Sequence, residues 1–265
     1  MGWLSLGVDA LGAHVVAGSL LVLLCLAVAL EAWSRELAQA PRWALVLIVT
    51  APLVLVHARS TYVDLPVGLL GAALLGLLLA ERPAPAAVAV AIVLAAFKDE
   101  GLAHVAAASI AAAVVRGWRR GPAWGPLLSA AIGFGSWRLL VKASGVAVVD
   151  HALAEPAWGW TPRFFELLAL HATDFFSWGV TWAVVLAAMT LRSLPPPARA
   201  LRLLLVGNLA LTLAALLVGP ERVRVFAENG TLLNRLLVQL WPAAALLVLS
   251  ALLTRPASPL SSRGA

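Results

Sequence analysis

The sequence predicts an all-α protein, a polytopic transmembrane helical bundle that crosses a membrane about nine times. Hydrophobic residues make up 62% of the chain and charged residues only 12%, whereas a soluble domain typically carries about 25% charged residues. Apolar stretches of roughly membrane length recur from Gly12 to Leu253, with short polar segments between them. The eleven Trp residues fall mostly near the ends of these stretches, where aromatic side chains favour the bilayer interface.

The apolar runs define the predicted spans, although several are shorter than the roughly 20 residues that cross a bilayer comfortably. Two prolines in the segment ERPAP divide the third run from the fourth, because proline ends one helix and suits the start of the next. The alternative is one broken helix at that point, which would invert the orientation of everything downstream. The nine predicted spans are 12–31, 43–58, 65–80, 84–97, 101–115, 123–141, 173–191, 201–218 and 236–253.

The distribution of charge supports nine spans and predicts their orientation. One set of alternate loops holds eleven bases and three acids, and the other set holds eight bases and ten acids. Because Lys and Arg accumulate on the cytoplasmic side, the acid-rich loops and the N-terminus are predicted to face outward. Residues 1–255 then form a single transmembrane domain, and 256–265 form a cytoplasmic tail that we predict to be disordered.

Several classes of function are disfavoured by the residues themselves. The pI is near 10.9, but the basic residues are scattered through short loops, so we expect no nucleic-acid binding. No Gly-rich phosphate loop, HExxH motif or Ser/His/Asp arrangement is present. His151 and His171 lack the neighbouring ligands of a metal site, and we therefore predict no metal ligands from the residues. The segment 27–29 resembles a signal-cleavage site, but residues 1–11 lack the basic residues of a signal peptide.

The second loop contains the segment YVDLP, residues 62–66. Asp64 lies just before a proline that suits the first turn of a helix, where negative charge is favoured. Asp64 could therefore be a helix N-cap. Its clustering with Arg59 and Tyr62 at the membrane surface equally favours a functional role, and the spacing alone does not choose between the two.

The segment KDEG, residues 98–101, lies between two short apolar runs with almost no linker. Two helix ends must therefore converge there, on the predicted outer face. One interpretation is a charged hairpin that marks the water boundary, with Lys98 extending to the interface. The other is a site in which Lys98 binds a lipid phosphate and a carboxylate of the segment acts as a base or holds a sugar hydroxyl.

Two further segments carry a structural prediction. The segment 161–176, TPRFFELLALHATDFF, has Thr161 as a candidate N-cap and apolar residues at helical spacing, which predicts a short amphipathic helix on the outer leaflet. In the third span, Gly68, Ala72 and Gly76 recur every four residues. Such a stripe of small residues lets helices approach closely, and we expect it to pack inside the bundle.

Arg235 stands at the start of the last apolar run, on the predicted outer side. It is either an anchor at the membrane boundary or a group that binds phosphate oxygens through its forked guanidinium.

Three segments together resemble a known family. TYVDLPVGLLGAALLGLLL, AAFKDEGLAHVAAA and TLLNRLLVQLWPAAALL follow one another in the order and spacing seen in bacterial membrane glycosyltransferases of the GT-C fold. The similarity is to the dolichyl-phosphate-mannose–protein mannosyltransferase and lipid A aminoarabinose-transferase types, and it covers most of the chain. It implies a multi-pass enzyme of the bacterial cytoplasmic membrane that passes a sugar from a polyprenyl-phosphate donor to an acceptor, here unknown, outside that membrane.

The resemblance also implies roles for individual residues. Asp64 and Glu100 correspond to catalytic carboxylates, with Asp64 shaping the sugar site or a metal site. Tyr62, Lys98 and Arg235 correspond to substrate-binding residues, with Lys98 lining the donor cavity beside Glu100 and Arg235 contacting the carrier phosphate. The cofactor is unknown, and the resemblance leaves a divalent metal open.

The chain departs from the family at its N-terminus. The family's general base is an Asp in a large first outer loop that follows an initial membrane helix, whereas this sequence resembles the family from its second helix onward. We therefore expect the first helix and first loop to be missing from this chain. A catalytically inactive or truncated membrane protein with a scaffold role is the alternative. A transporter is the third possibility, and it would need charges deeper within the spans.

Overall fold

The computed structural model describes residues 10–37, 43, 46, 48, 51–58, 62–80, 84–97, 99–118, 124–145, 157–219 and 221–253. Within these ranges the protein is all-helical and contains no strand, as predicted. The predicted tail at 256–265 lies outside the described residues. The helices are α1 Ala10–Leu37, α2 Pro52–Ala58, α3 Asp64–Leu79, α4 Ala84–Phe97, α5 Asp99–Arg116, α6 Trp124–Ala143, α7 Trp160–Ala172, α8 Phe175–Trp178, α9 Thr181–Thr190, α10 Pro196–Val218, α11 Glu221–Glu228 and α12 Thr231–Leu253.

Among the residues that the structure describes, three helical segments are long and apolar enough to cross a membrane: Val15–Ser34, Pro196–Val218 and Thr231–Leu253. Helices α3, α4 and α9 are apolar but shorter. Each of the predicted spans except the second and the seventh coincides with one helix to within six residues at either end. The number of nine membrane crossings stays a prediction.

Helix α3 lies in the interior of the bundle. Its residues from Asp64 through Gly76 are all buried. A side chain at Gly68 would overlap the backbone of Gln239 in α12, and one at Gly76 would overlap the Trp33 ring in α1. The Trp33 indole donates a hydrogen bond to the backbone oxygen of Ala72, 2.8 Å away. The predicted stripe of small residues therefore packs inside the bundle.

Two contacts show that α3 and α5 run in the same direction. Gly71 in the middle of α3 lies against His104, which is near the start of α5. Further along both helices, the Arg116 guanidinium donates to the backbone oxygen of Leu78 at 2.5 Å. The pairs advance together along the two helices, so the first residues of α3 and α5 lie at one end of the bundle.

Helix α12 is also parallel to α3. Asp64 contacts Arg235, and one turn further on Gly68 contacts Gln239. Four residues separate the partners on each helix, which is one helical turn in the same direction. The starts of α3, α5 and α12 therefore meet at one end of the bundle, which we call the acidic end after Asp64 and Glu100.

Helix α4 runs the opposite way. Helix α4 ends at Phe97 and α5 begins at Asp99, and a side chain at Gly101 would overlap the backbone oxygen of Leu94. This tight hairpin brings the end of α4 to the acidic end. Because α3 and α4 are thus antiparallel, the segment ERPAP separates two helices and the single broken helix is excluded.

The seventh predicted span, 173–191, is wrong as a single helix. Helix α8 ends at Trp178 and is followed by Gly179, whose positive φ of 59° favours glycine. Asp174 caps α8 by accepting a hydrogen bond from the backbone N–H of Phe176. The capping residue Asp174 and the positive-φ Gly179 thus divide an apolar run that its composition predicts to be one helix.

The predicted amphipathic helix is present as α7 but is shorter than 161–176. It begins at Trp160, so Thr161 is not its N-cap, and it ends at Ala172. Phe164 and Leu167 are buried against the bundle. Its location on the outer leaflet stays a prediction.

Candidate functional site

Asp64 is a buried carboxylate at the first residue of α3. One of its oxygens, Oδ2, accepts from Arg235 Nε at 2.9 Å, and the other accepts from Gln239 Nε2 at 2.8 Å. His57 Nδ1 lies 4.0 Å from Oδ2. Val63 occupies the N-cap position and makes no side-chain cap. The capping interpretation of Asp64 is therefore wrong, since its oxygens bind side chains of another helix.

Tyr62 and Arg235 lie on the accessible side of this carboxylate. The Arg235 guanidinium carbon is 5.5 Å from the centre of the Tyr62 ring, a cation–π distance. The Arg235 side chain remains 31% exposed while that of Asp64 is fully buried. Three of the residues predicted for the site, Tyr62, Asp64 and Arg235, therefore lie in direct contact. Their arrangement leaves the arginine accessible.

Glu100 lines a cavity of about 410 Å³ at the acidic end. This volume falls within the usual range for small-molecule sites. The polar residues of the cavity wall come from α5, α6, α10 and α12. They are Glu100, His104, Arg138, Asn208, Thr212 and Gln239. The rest of the wall is mostly apolar and includes Phe134, Leu211, Leu216, Val218, Val223, Leu232 and Leu236.

Gln239 connects the cavity to the buried carboxylate. Its amide nitrogen bonds Asp64, and its amide oxygen lies 3.4 Å from His104 Nε2. The His104 ring fits here because residue 71 is glycine: a Cβ on Gly71 would come within 2.7 Å of His104 Nδ1. A continuous polar chain thus runs from Arg235 through Asp64 and Gln239 to His104 in the cavity wall.

The remaining predicted residues take different positions. Lys98 and Arg59 lie outside the described residues. Glu100 faces the cavity, whereas Asp64 reaches it only through Gln239. The two predicted carboxylates therefore occupy separate environments at the same end of the bundle.

Five polar residues of the cavity wall were not predicted: His104, Arg138, Asn208, Thr212 and Gln239. Three of them carried a signal in the sequence. His104 follows Glu100 by four residues and Gln239 follows Arg235 by four, a spacing that places both members of a pair on one helix face. Arg138 lies inside the predicted span 123–141, and a charge within an apolar span is itself a functional signal. Its guanidinium lies 5.2 Å from the centre of the Phe134 ring.

The residues near Asp64 do not form a metal-binding set. In the parts of the chain that the structure describes, no three His, Cys, Asp or Glu side chains come together. Asp64 already accepts from Arg235 and Gln239, and His57 is the only other potential ligand described beside it. The divalent metal left open by the resemblance therefore finds no site among these residues, and no reaction step is assigned to one.

Comparison with known proteins assigns no family. No family model, no curated protein and no solved structure matches the chain.

Proposed function

We propose that the chain is a membrane glycosyltransferase, or the membrane portion of one, which transfers a sugar from a polyprenyl-phosphate donor to an acceptor outside the bacterial cytoplasmic membrane. One observation carries the proposal: the cavity joins Glu100 and Arg138 to an apolar wall. A lipid-linked sugar has the same two parts, a charged, hydroxyl-rich head and a hydrocarbon tail. Gln239 links this cavity to the accessible Arg235.

The proposed membrane arrangement has about nine crossings in a GT-C-like bundle. Consecutive spans must run in opposite directions if their loops alternate between the two sides of a membrane. Helices α3 and α4, and α4 and α5, are antiparallel in this way. In this arrangement the acidic end faces outward, because the acid-rich loops are predicted on that side. A lipid-linked donor could then present its head group to the cavity while its chain remained at the apolar wall.

Arginines would bind the phosphate of the donor. Arg235 is held in one orientation by Asp64 and by the Tyr62 ring, so little side-chain entropy is lost when an anion binds. Arg138 lines the cavity itself. Lys98, one residue before α5, would add a further cation by its position in the sequence. Positive charge at these positions would stabilise the negative charge that develops on the leaving phosphate.

Glu100 would act as the general base. The acceptor hydroxyl would attack the anomeric carbon as the bond from that carbon to the phosphate oxygen breaks, and its proton would pass to the Glu100 carboxylate. The products are the glycosylated acceptor and polyprenyl phosphate. Asp64 would act through Arg235, because its two oxygens are occupied by Arg235 and Gln239.

Binding of the carrier lipid tests this proposal directly. Purified protein in lipid nanodiscs is exposed to a photoreactive polyprenyl phosphate, and covalent labelling is measured with and without excess unlabelled carrier. We expect labelling that polyprenyl phosphate displaces and polyprenol does not, since polyprenol lacks the phosphate. Arg235→Gln should reduce labelling at least tenfold, a change of about 1.4 kcal/mol. Arg163→Gln is the matched control, because Arg163 is an exposed arginine paired with Glu166 on α7.

Two results would contradict the proposal. Equal displacement by polyprenol and polyprenyl phosphate would show that no phosphate is recognised. Equal loss of labelling in Arg235→Gln and Arg163→Gln would show that charge in general, and not this site, controls binding. A protein that binds the carrier but never transfers sugar would correspond to the inactive scaffold alternative.

A further inference from the structure

The polar chain at the acidic end has a defined hydrogen-bond direction. The Asp64 carboxylate, paired with the permanently charged Arg235, has only acceptor oxygens. The amide group of Gln239 that faces it, 2.8 Å away, must therefore be the NH₂. The amide oxygen then faces His104 Nε2 at 3.4 Å, and because this oxygen can only accept, Nε2 must carry the proton.

We propose that Asp64 fixes the tautomer of His104 through Gln239, so that the neutral imidazole carries its proton on Nε2 and leaves Nδ1 as the basic nitrogen. Asp64 and Gln239 are then positioning residues for a histidine in the cavity wall. The inference does not depend on the proposed function, because it concerns the state of the cavity before any ligand enters. The Asp64–Arg235 ion pair then has a role beyond joining α3 to α12.

Burial favours a single hydrogen-bond direction along the chain Asp64–Gln239–His104, which we call the relay. Asp64, Gln239 and His104 are 0%, 4% and 3% exposed, respectively. In such an environment an unsatisfied or misdirected polar group is costly, so an amide flip that placed Gln239 NH₂ against a protonated Nε2 is strongly disfavoured. The close approach of Gly71 keeps the ring beside Gln239.

The variant Asp64→Asn reverses the direction of the relay without changing its shape. Arg235 Nε still requires an acceptor, so the Asn oxygen must face Arg235 and the Asn NH₂ must face Gln239. Gln239 must then turn its oxygen toward position 64 and its NH₂ toward His104. Nε2 becomes an acceptor, and the proton moves to Nδ1.

Nitrogen NMR of the full-length protein in nanodiscs measures this change. The protein is labelled with ¹⁵N-histidine and studied at about pH 8.5, where histidine of ordinary pKa is neutral. The His104 signals are assigned by their loss in His104→Asn. We expect the Nε2–H pattern in the wild type and the Nδ1–H pattern in Asp64→Asn. Asp174→Asn, the same chemical change at a cap that lines no part of the cavity, should leave the wild-type pattern.

A second variant keeps the test decisive if Asp64→Asn fails to fold. Gln239→Met removes the relay and leaves the Asp64–Arg235 pair intact, so it should abolish the single Nε2–H pattern. The proposal is overturned if His104 shows the Nδ1–H form in the wild type. It is also overturned if folded Asp64→Asn or folded Gln239→Met keeps the unmixed Nε2–H form.

Discussion

Arg235 Nε donates to Asp64 Oδ2 at 2.9 Å, and this bond between residues 171 positions apart joins the first turns of two helices. The pair is asymmetric, because the carboxylate is fully buried and the arginine side chain is 31% exposed. Loss of the arginine would therefore leave a buried charge without its ion pair, whereas loss of the acid would leave a cation that water can still reach. This asymmetry sets the expected consequences of changing either residue.

Asp64→Ala should strongly destabilise the bundle. It leaves Arg235 and Gln239 without their acceptor, and breaking a buried pair typically costs about 3–5 kcal/mol. The partial exposure of Arg235 reduces this value by solvent screening, so we expect a loss of about 2–3 kcal/mol. Asp64→Asn, which keeps an acceptor for Arg235, should lose less. Reversible unfolding titrations in mixed detergent measure both. Equal stability of Asp64→Ala and the wild type would refute the structural role of the pair.

Gly68→Ala should force α3 and α12 apart. A Cβ at this position overlaps the backbone of Gln239, which cannot move aside as a side chain could. We expect a loss of about 1–3 kcal/mol in the free energy of unfolding, as for other overpacked sites.

Gly135→Ala is the matched control for this substitution. Gly135 lies within α6, and a Cβ there would meet open space. Alanine has the higher helix propensity, so this variant should be neutral or more stable by up to about 1 kcal/mol. Equal destabilisation of Gly68→Ala and Gly135→Ala would exclude close packing of α3 against α12.

Ala215→Trp should fill the cavity and prevent labelling by photoreactive polyprenyl phosphate. Ala214 and Ala215 are both exposed, and of the two Ala215 lines the cavity whereas Ala214 does not. Ala214→Trp should therefore leave labelling unchanged. The thermal unfolding midpoint in detergent should stay close to the wild-type value for both variants. Unreduced labelling in a folded Ala215→Trp protein would place carrier binding outside this cavity.

Sugar transfer should depend on both predicted carboxylates. With membranes and a radiolabelled polyprenyl-phosphate sugar, Glu100→Gln should lower the transfer rate at least about 100-fold, the usual contribution of a general base. Asp64→Asn should lower the rate as well, because Asp64 orients Arg235. Lys98→Ala should lower it because a cation for the donor phosphate is lost. Arg163→Gln should retain the wild-type rate. If Asp64→Asn and Lys98→Ala both transfer sugar at the wild-type rate, the site assignment is removed.

Single-cysteine labelling tests the proposed orientation. Ser144 follows the last residue of α6 and Ser193 lies between α9 and α10, and both are exposed. Cysteine at position 144 should react with a membrane-impermeant maleimide in intact cells, and cysteine at position 193 only after permeabilisation. The parent protein is the background control, because its Cys25 is buried. The reverse pattern would invert the orientation.

The helices could be predicted from the sequence because their signals are local. Helix α3 was placed within one residue of its observed ends, since apolar residues continue from 65 to 80 and a proline marks the start. The hairpin at 98–101 was predicted because no residues are available for a linker. The break at Gly179 was missed because an apolar run conceals a positive-φ glycine until its capping residue, Asp174, is recognised.

The site was only partly predictable, because its contacts join distant parts of the chain. The family resemblance predicted that Tyr62, Asp64 and Arg235 belong to one site. It did not indicate Gln239, which links Asp64 to His104 across 135 residues of sequence. Such a contact depends on how helices are rotated about their axes, and a stretch that is apolar all round specifies no rotation.

Helix α3 has almost no exposed face, since it packs against α1, α4, α5 and α12. An element enclosed in this way can neither slide nor turn without disturbing several neighbours at once. We therefore expect the Asp64 carboxylate at its start to keep its position relative to the rest of the bundle. If a ligand enters, we expect the accompanying motion in Arg235, which is 31% exposed, or in the cavity walls formed by α6, α10 and α11, and not in α3.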